Sequence, residues 1–347
     1  MNAFHSTPGT SLRELRGRTG MSQLELAERS GLSVRAVRDL EGGRVARPRA
    51  TSLHRLATAM RLSEAERAAL ATAVSAGVEP GVRLAVLGPL SLCHRGKPVA
   101  LTAPAVRTVL VLLALQPQRW VSREEIVDAV WGECPPATCP RLVHRYLGQL
   151  RALLEPGRRT DHVVRAEPGG YRLTLPADQL DVARFEELVD SAARLRERGE
   201  PRHARTLLAQ ALAQWRGPAA GGLAGRLDQH PALVALTHSR VTAALDHADL
   251  ALADGVPAQG VRTLRALADE HPWHEGIAAR LMLSLAAGGE QAAALRLFGE
   301  VRARLAEQLR VEPGPELTKA HSAVVHGRVP LFPPLSAAAA SAHPRIP

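Results

Sequence analysis

Along the first 80 residues, apolar positions recur at helical spacing and are closely punctuated, the pattern of several short helices. Ser11-x-x-Glu14, Ser22-x-x-Glu25 and Ser63-x-x-Glu66 each have the form of a capping box. In that motif the hydroxyl accepts from an orphan amide and the carboxylate reaches back to the cap, so three helix starts are expected. Gly31-Leu32-Ser33 separates a helix expected over 23–29 from one over 34–41, which Gly42-Gly43 ends.

From about residue 82 the period switches. Val82 to Leu87 and Leu90 to His94 are short apolar segments divided by Gly88-Pro89, and Arg95-Gly96 turns the chain into Lys97 to Leu101. This predicts a small antiparallel sheet. An apolar helix over 105–115 follows, then a helix from the capping box Ser122-x-x-Glu125 to Trp131, and after a Pro-rich loop a third helix over 140–154.

At 100° per residue the third helix is two-faced. Val143, Leu147, Leu150 and Leu154 share one side, while Arg141, Arg145, Gly148 and Ala152 lie opposite, flanked by His144 and Arg151. One face is core and the other basic. An exposed helical Gly148 costs about 1 kcal/mol against alanine, which a nucleic-acid backbone passing close by would explain. Strands over 163–165 and 171–173 around Glu167-Pro168-Gly169-Gly170 then make a hairpin that carries Arg165 and Arg172.

Residues 181–326 are helical and repetitive. Gly199, Gly255 and Gly289 each stand five residues before a small residue (Ala204, Gly260, Ala294) and nine before a large one (Leu208, Leu264, Phe298). The last two copies are 34 residues apart, the tetratricopeptide period, and such helix pairs form concave binding surfaces. Residues 327–347, rich in Pro, Ala and Ser, are expected to be a disordered tail.

Charge changes this picture by its kind and its place. Of the 44 cations 42 are arginine, and the net charge is +10. Residues 1–180 hold 25 Arg/Lys against 16 Asp/Glu, whereas residues 181–347 hold 19 against 18. Arginine's planar fork fits phosphate and guanine edges, so nucleic acid is the first partner to test. The first ten residues lack a signal-peptide pattern and the longest strongly apolar run, Val109 to Leu115, is too short for a membrane span, so a cytoplasmic, nucleoid-associated protein with no membrane partner is expected. Three cysteines (Cys93, Cys134, Cys139) argue for reduced thiols.

The stretch MSQLELAERSGLSVRAVRDLEGG resembles the Cro/XRE-type helix-turn-helix over about 65 residues. The resemblance implies burial of Leu24, Ala27, Leu32, Val37 and Leu40, with Gln23, Ser33, Val34, Arg35 and Arg38 facing outward. It implies Gln23 as a phosphate anchor and Arg35 and Arg38 as base readers. The strands, three helices and terminal hairpin closed by GYRL look like the OmpR-type winged helix. More narrowly, WGECPPATCPRLVHRYLGQLRALL followed by PGGYRLTLPADQLDVARFEEL is similar to the Streptomyces antibiotic regulatory protein (SARP) family.

The fold class that follows is multidomain and mainly α. It comprises an all-α helix-turn-helix (11–78), an α+β winged helix (82–175) and a tetratricopeptide-like bacterial transcriptional activation domain (181–326). For DNA binding the winged helix offers Arg141, His144, Arg145, Gly148, Arg151, Arg165 and Arg172. The resemblance implies an activator of secondary-metabolite genes that binds direct repeats in double-stranded promoter DNA, as a homodimer there, and recruits RNA polymerase holoenzyme. Where the family's recognition helix begins with Arg, Asn or Thr, this chain has Pro140, Arg141 and Leu142, so the DNA sequence read does not carry over.

Other chemistry is thin, and neither catalytic nor metal-ligating residues nor a cofactor is expected. Cys134-x4-Cys139-x4-His144 lacks zinc-site spacing and a fourth ligand. Asp246-His247-x-Asp249 reads as a solvated helix face. No GxxxxGK[ST] loop or GxSxG elbow occurs. A peptide- or small-molecule-gated regulator sensing through the repeats is the alternative, and the winged helix between the two helical parts counts against it.

Overall fold

The computed structural model describes residues 8–42, 50–60, 62, 81–154, 163–221 and 227–328. It forms two compact units, Met1–Gly81 and Val82–Pro347. The capping box at Ser63 and the tail beyond Arg328 lie outside the described residues.

The first unit contains α1 (Pro8–Arg18), α2 (Gln23–Ser30), α3 (Val34–Glu41) and α4 (Ala50–Ala59). Helix α1 starts at Pro8, so Ser11 lies inside it and is not its cap. Ser22 does cap α2 in a full capping box with Glu25, Gly31 closes that helix in the left-handed conformation, and Ser33 caps α3. The core gathers Leu12, Leu26, Ala27, Val37, Leu40, Leu56, Ala57, Met60 and Leu62. Leu24, expected inside, is 55% exposed, and Leu32 is only partly buried. The cap is the cause. With Ser22 as N-cap, Leu26, Ala27 and Ser30 share the inward side of α2, and Leu24 lies two residues, about 200°, away from Leu26.

The second unit opens with an antiparallel meander, β1 (Val82–Ala85), β2 (Ser91–His94) and β3 (Lys97–Pro98). Arg95 and Gly96, both at positive φ, make its two-residue hairpin turn. Helices α5 (Pro104–Leu115), α6 (Arg123–Trp131) and α7 (Cys139–Leu154) follow. A second sheet, ordered β4-β6-β5, is built from β4 (Val121–Ser122), β5 (Val164–Glu167) and β6 (Gly170–Leu173). The strands run up to Pro168-Gly169, so the turn is shorter than the four residues expected. Strand β4 passes so close to Gly170 that a Cβ there would stand 2.6 Å from the Val121 carbonyl oxygen.

Among the described residues, seven helices complete the unit. They are α8 (Asp181–Glu197), α9 (Pro201–Leu212), α10 (Pro231–Ala253), α11 (Ala258–Glu270), α12 (Glu275–Ala287), α13 (Gln291–Arg304) and α14 (Pro315–Val325), with a π-helical turn, Leu305–Leu309, before the last. The repeat glycines Gly199, Gly255 and Gly289 sit at φ between 71° and 86° in the turns inside successive helix pairs, a conformation that favours glycine. The small repeat residues Ala204, Gly260 and Ala294 are buried at helix contacts, as are Leu208 and Leu264, and Phe298 is half-buried.

One continuous core runs from Val82 to Val324, so winged helix and repeats pack as a single body. The seam is built from the backbone. The Asp181 carboxylate, at the start of α8, accepts from the Val86 and Leu87 amides at 2.8–2.9 Å, and Leu84 donates to the Gln179 carbonyl. Arg216 and Ala220 donate to the Leu87 and Val86 carbonyls at 2.7 Å. Burial pushes the Asp181 carboxyl above its ordinary pKa, against the pull of those amides and of Arg216.

Candidate nucleic-acid interface

Helix α7 presents the two faces its spacing predicts. Val143, Leu147, Leu150 and Leu154 are fully buried, and Arg141, His144, Arg145, Gly148 and Gln149 are exposed. Arg151 is half-buried and donates its Nε–H to the Val164 carbonyl (3.0 Å), tying the helix to β5. His144 Nδ1 lies 3.4 Å from the Tyr171 hydroxyl, with the rings edge to face at 6.3 Å. Arg145 lies over the Tyr146 ring (5.6 Å), which stacks on Trp131. At Gly148 a Cβ would meet nothing within 4 Å, so packing inside the chain gives no reason for the glycine.

In the hairpin, Arg165 and Arg172 are direct cross-strand partners on the face opposite the buried Val164 and Leu173. Two like charges in that position repel each other unless an anion lies between or beside them. Among the described residues no carboxylate pairs with Arg141, Arg145, Arg165 or Arg172. Several arginines of the repeats, by contrast, are paired. Arg196 pairs with Asp246, Arg205 with Asp254, Arg240 with Glu270, and Arg280 with Asp249 and Glu316. The winged helix thus leaves Arg141 and Arg145 on α7 and Arg165 and Arg172 on the hairpin without a carboxylate partner, an arrangement suited to a polyanion.

In the first unit Arg35 and Arg38 are exposed on α3, with Asp39 3.8 Å from Arg35. Ser33 is exposed as the cap and Val34 is half-buried. Gln23 turns its amide inward and donates to Glu41 (2.7 Å), which also accepts from Arg16. Burial raises the Glu41 pKa, but the hydrogen bonds from Arg16 and Gln23 outweigh it and hold the carboxyl below its ordinary value.

Several residues escaped sequence reasoning. Trp120 and Tyr171 touch the candidate DNA-binding residues, and only the register of β4 and β6 brings them there. Glu125 meets Ser122 only through its backbone amide, which donates to the Ser122 hydroxyl (3.0 Å). Its carboxylate instead takes Gln116 and, from the start of α10, His230 (3.1 Å). Asp246, His247 and Asp249 are buried, contrary to the solvated face expected, because α10 packs against both neighbouring helix pairs and places Asp246 on Arg196 and Asp249 on Arg280. Among the described residues no three His, Cys, Asp or Glu side chains cluster as a metal site, and no helix is long and apolar enough to cross a membrane.

Comparison with known proteins agrees with this geometry. Residues 180–325 match the family described as "Bacterial transcriptional activator domain", residues 96–173 "Transcriptional regulatory protein, C terminal", and residues 9–70 "Helix-turn-helix domain". The regulatory protein DnrI of Streptomyces peucetius is 31% identical over 250 residues, which cover 70% of this chain and 92% of DnrI. The chain belongs to the SARP family of transcriptional regulators. A larger SARP relative, the regulatory protein AfsR of Streptomyces coelicolor, is 35% identical over 260 residues, 75% of this chain. The match spans 26% of the length of AfsR. The solved structure of Mycobacterium tuberculosis EmbR, in complex with a low-affinity phosphopeptide, superimposes with a TM-score of 0.63 at 29% identity, covering 76% of this chain and 69% of that one. The SARP chain described here is therefore mainly helical, with a helix-turn-helix, an OmpR-like winged helix for DNA binding and a helical-repeat domain.

Proposed function

We propose that this chain is a sequence-specific transcriptional activator of secondary-metabolite genes and not an enzyme. Helix α7 enters the major groove of promoter DNA with Arg141 and Arg145 as base readers and His144 beside them. The backbone passes Gly148, while Arg151, Arg165 and Arg172 hold phosphates. The observation that carries this reading is the set of arginines on α7 and the hairpin, Arg141, Arg145, Arg165 and Arg172, that have no carboxylate partner among the described residues. Two copies bind direct repeats about one helical turn apart, side by side on one face of the duplex, and the repeats present the complex to RNA polymerase holoenzyme. These roles place the protein at the nucleoid in the cytoplasm, with working boundaries 11–78, 82–175 and 181–326.

Arg35 and Arg38, exposed on α3, support a second DNA contact by the helix-turn-helix through Ser33, Val34, Arg35 and Arg38. Gln23, engaged by Glu41, reaches phosphate only by exchanging that partner. Footprinting on promoters of the gene neighbourhood, with the full chain and with one lacking residues 1–80, tests both. Protection by both proteins, longer for the full chain, is expected. Loss of all protection on removing residues 1–80 would contradict the assignment to the winged helix.

A further inference from the structure

The β4–β6 register pairs Val121 with Tyr171, and the next pair outward in the same antiparallel register is Trp120 with Arg172. Arg172 in turn pairs with Arg165 across β6 and β5. Trp120, Arg172 and Arg165 therefore form one cross-strand row. The Arg172 guanidinium carbon stands 4.4 Å from the Trp120 ring centroid, within cation–π range. Trp120 remains 38% exposed.

The turn beneath this contact is hydrogen-bonded to the neighbouring strand. Gln118, at φ +62°, donates its backbone amide to the Leu173 carbonyl and its side-chain amide to the Leu175 carbonyl, both at 3.2 Å. The turn that carries Trp120 is thereby fastened to the strand that carries Arg172. Arg172 Nε is buried and has no hydrogen-bond partner among the described residues. A shielded donor left without a partner disfavours folding. An arginine held at such a cost against an aromatic ring, and beside a second arginine, is shaped for a ligand and not for the stability of the hairpin.

We propose that Trp120 is a positioning residue that fixes the Arg172 guanidinium by stacking, so that Arg172 and Arg165 together meet the anionic backbone of the DNA duplex. This rests on the reading that the hairpin contacts DNA. Anisotropy titrations of the full chain on a labelled promoter duplex, for W120L, W120F, R172A and W120L/R172A, test the two ideas separately. W120L is expected to weaken binding about three- to tenfold, the worth of a cation–π contact. W120F, which keeps a ring face, should restore most of that loss, and W120L should add nothing in the R172A background. Because a merely structural role would weaken both backgrounds alike, additive losses would overturn the proposal. So would W120L binding like wild type while R172A binds weakly. If R172A itself binds like wild type, the hairpin reading fails and takes the proposal with it.

Discussion

Replacing Asp181 with alanine should loosen the joint between winged helix and repeats, and the structure sets the size of the effect. The carboxylate is almost fully buried and accepts from the amides of Val86, Leu87 and Val182 at 2.8–2.9 Å, with Arg216 at 3.5 Å. Val86 and Leu87 are both inaccessible to solvent, so in D181A their amides lose their partner where water does not replace it. A buried unpaired donor costs about 1–3 kcal/mol, which puts the loss at about 2–4 kcal/mol once partial relaxation is allowed. For a unit of this size that is a fall in Tm of roughly 5–15 °C. Asn at this position keeps one acceptor oxygen and is expected to lose about half as much. Thermal melts of the full chain followed by far-ultraviolet circular dichroism measure this. With a single core from Val82 to Val324, winged helix and repeats should melt in one transition. A D181A protein within about 0.5 kcal/mol of wild type would refute the reasoning.

Further outcomes follow from other parts of the molecule. L26A should cost about 2–5 kcal/mol of the stability of the first unit and L24A under about 0.5 kcal/mol, as urea titration would show; equal losses would mean α2 is turned the other way. G148A should raise stability by about 0.5–1 kcal/mol, since the site is open, yet lower DNA affinity, and unchanged affinity would remove the close backbone approach. Two buried groups on α10 should oppose each other with pH. Burial, helped by Arg205 and Arg262, pulls His247 down from 6.5 to about 4, so its contribution is lost as pH falls from 6.5 towards 4. Burial pushes Asp249 up from 3.8 to about 6 against the pull of Arg280, so its contribution is lost as pH rises from 3.8 to about 6. Each effect is about 3 kcal/mol, so these two groups largely offset each other across this window. H247Q should gain stability on acidification and D249N should lose it, and profiles parallel to wild type in denaturation at pH 4.5 and 6.5 would contradict this.

What was legible in the sequence is what local periodicity controls. The faces of α7 follow from Val143, Leu147, Leu150 and Leu154 alone, and Gly199, Gly255 and Gly289 mark the repeat turns because each needs a left-handed residue at a fixed distance from a buried small one. What was hidden depends on partners far along the chain. Asp181 meets Val86 across 95 residues and His230 meets Glu125 across 105, and no local pattern signals either. Strand β4 is two residues long and exists only because Gly170 lets it approach β6. Leu24 looked as apolar as Leu26, and only the position of the cap decides between them. Asp246, His247 and Asp249 read as surface because burying them requires arginines on other helices.

The central claim is that the exposed arginines of α7 read DNA. Its most direct test is the affinity of the full chain for a footprinted promoter duplex at several salt concentrations, comparing wild type with R141A, R145A and the double variant. The account predicts a loss of about 1–3 kcal/mol for each base-reading arginine, with weakened discrimination against mutated sites. Wild-type affinity and specificity in the double variant would contradict it.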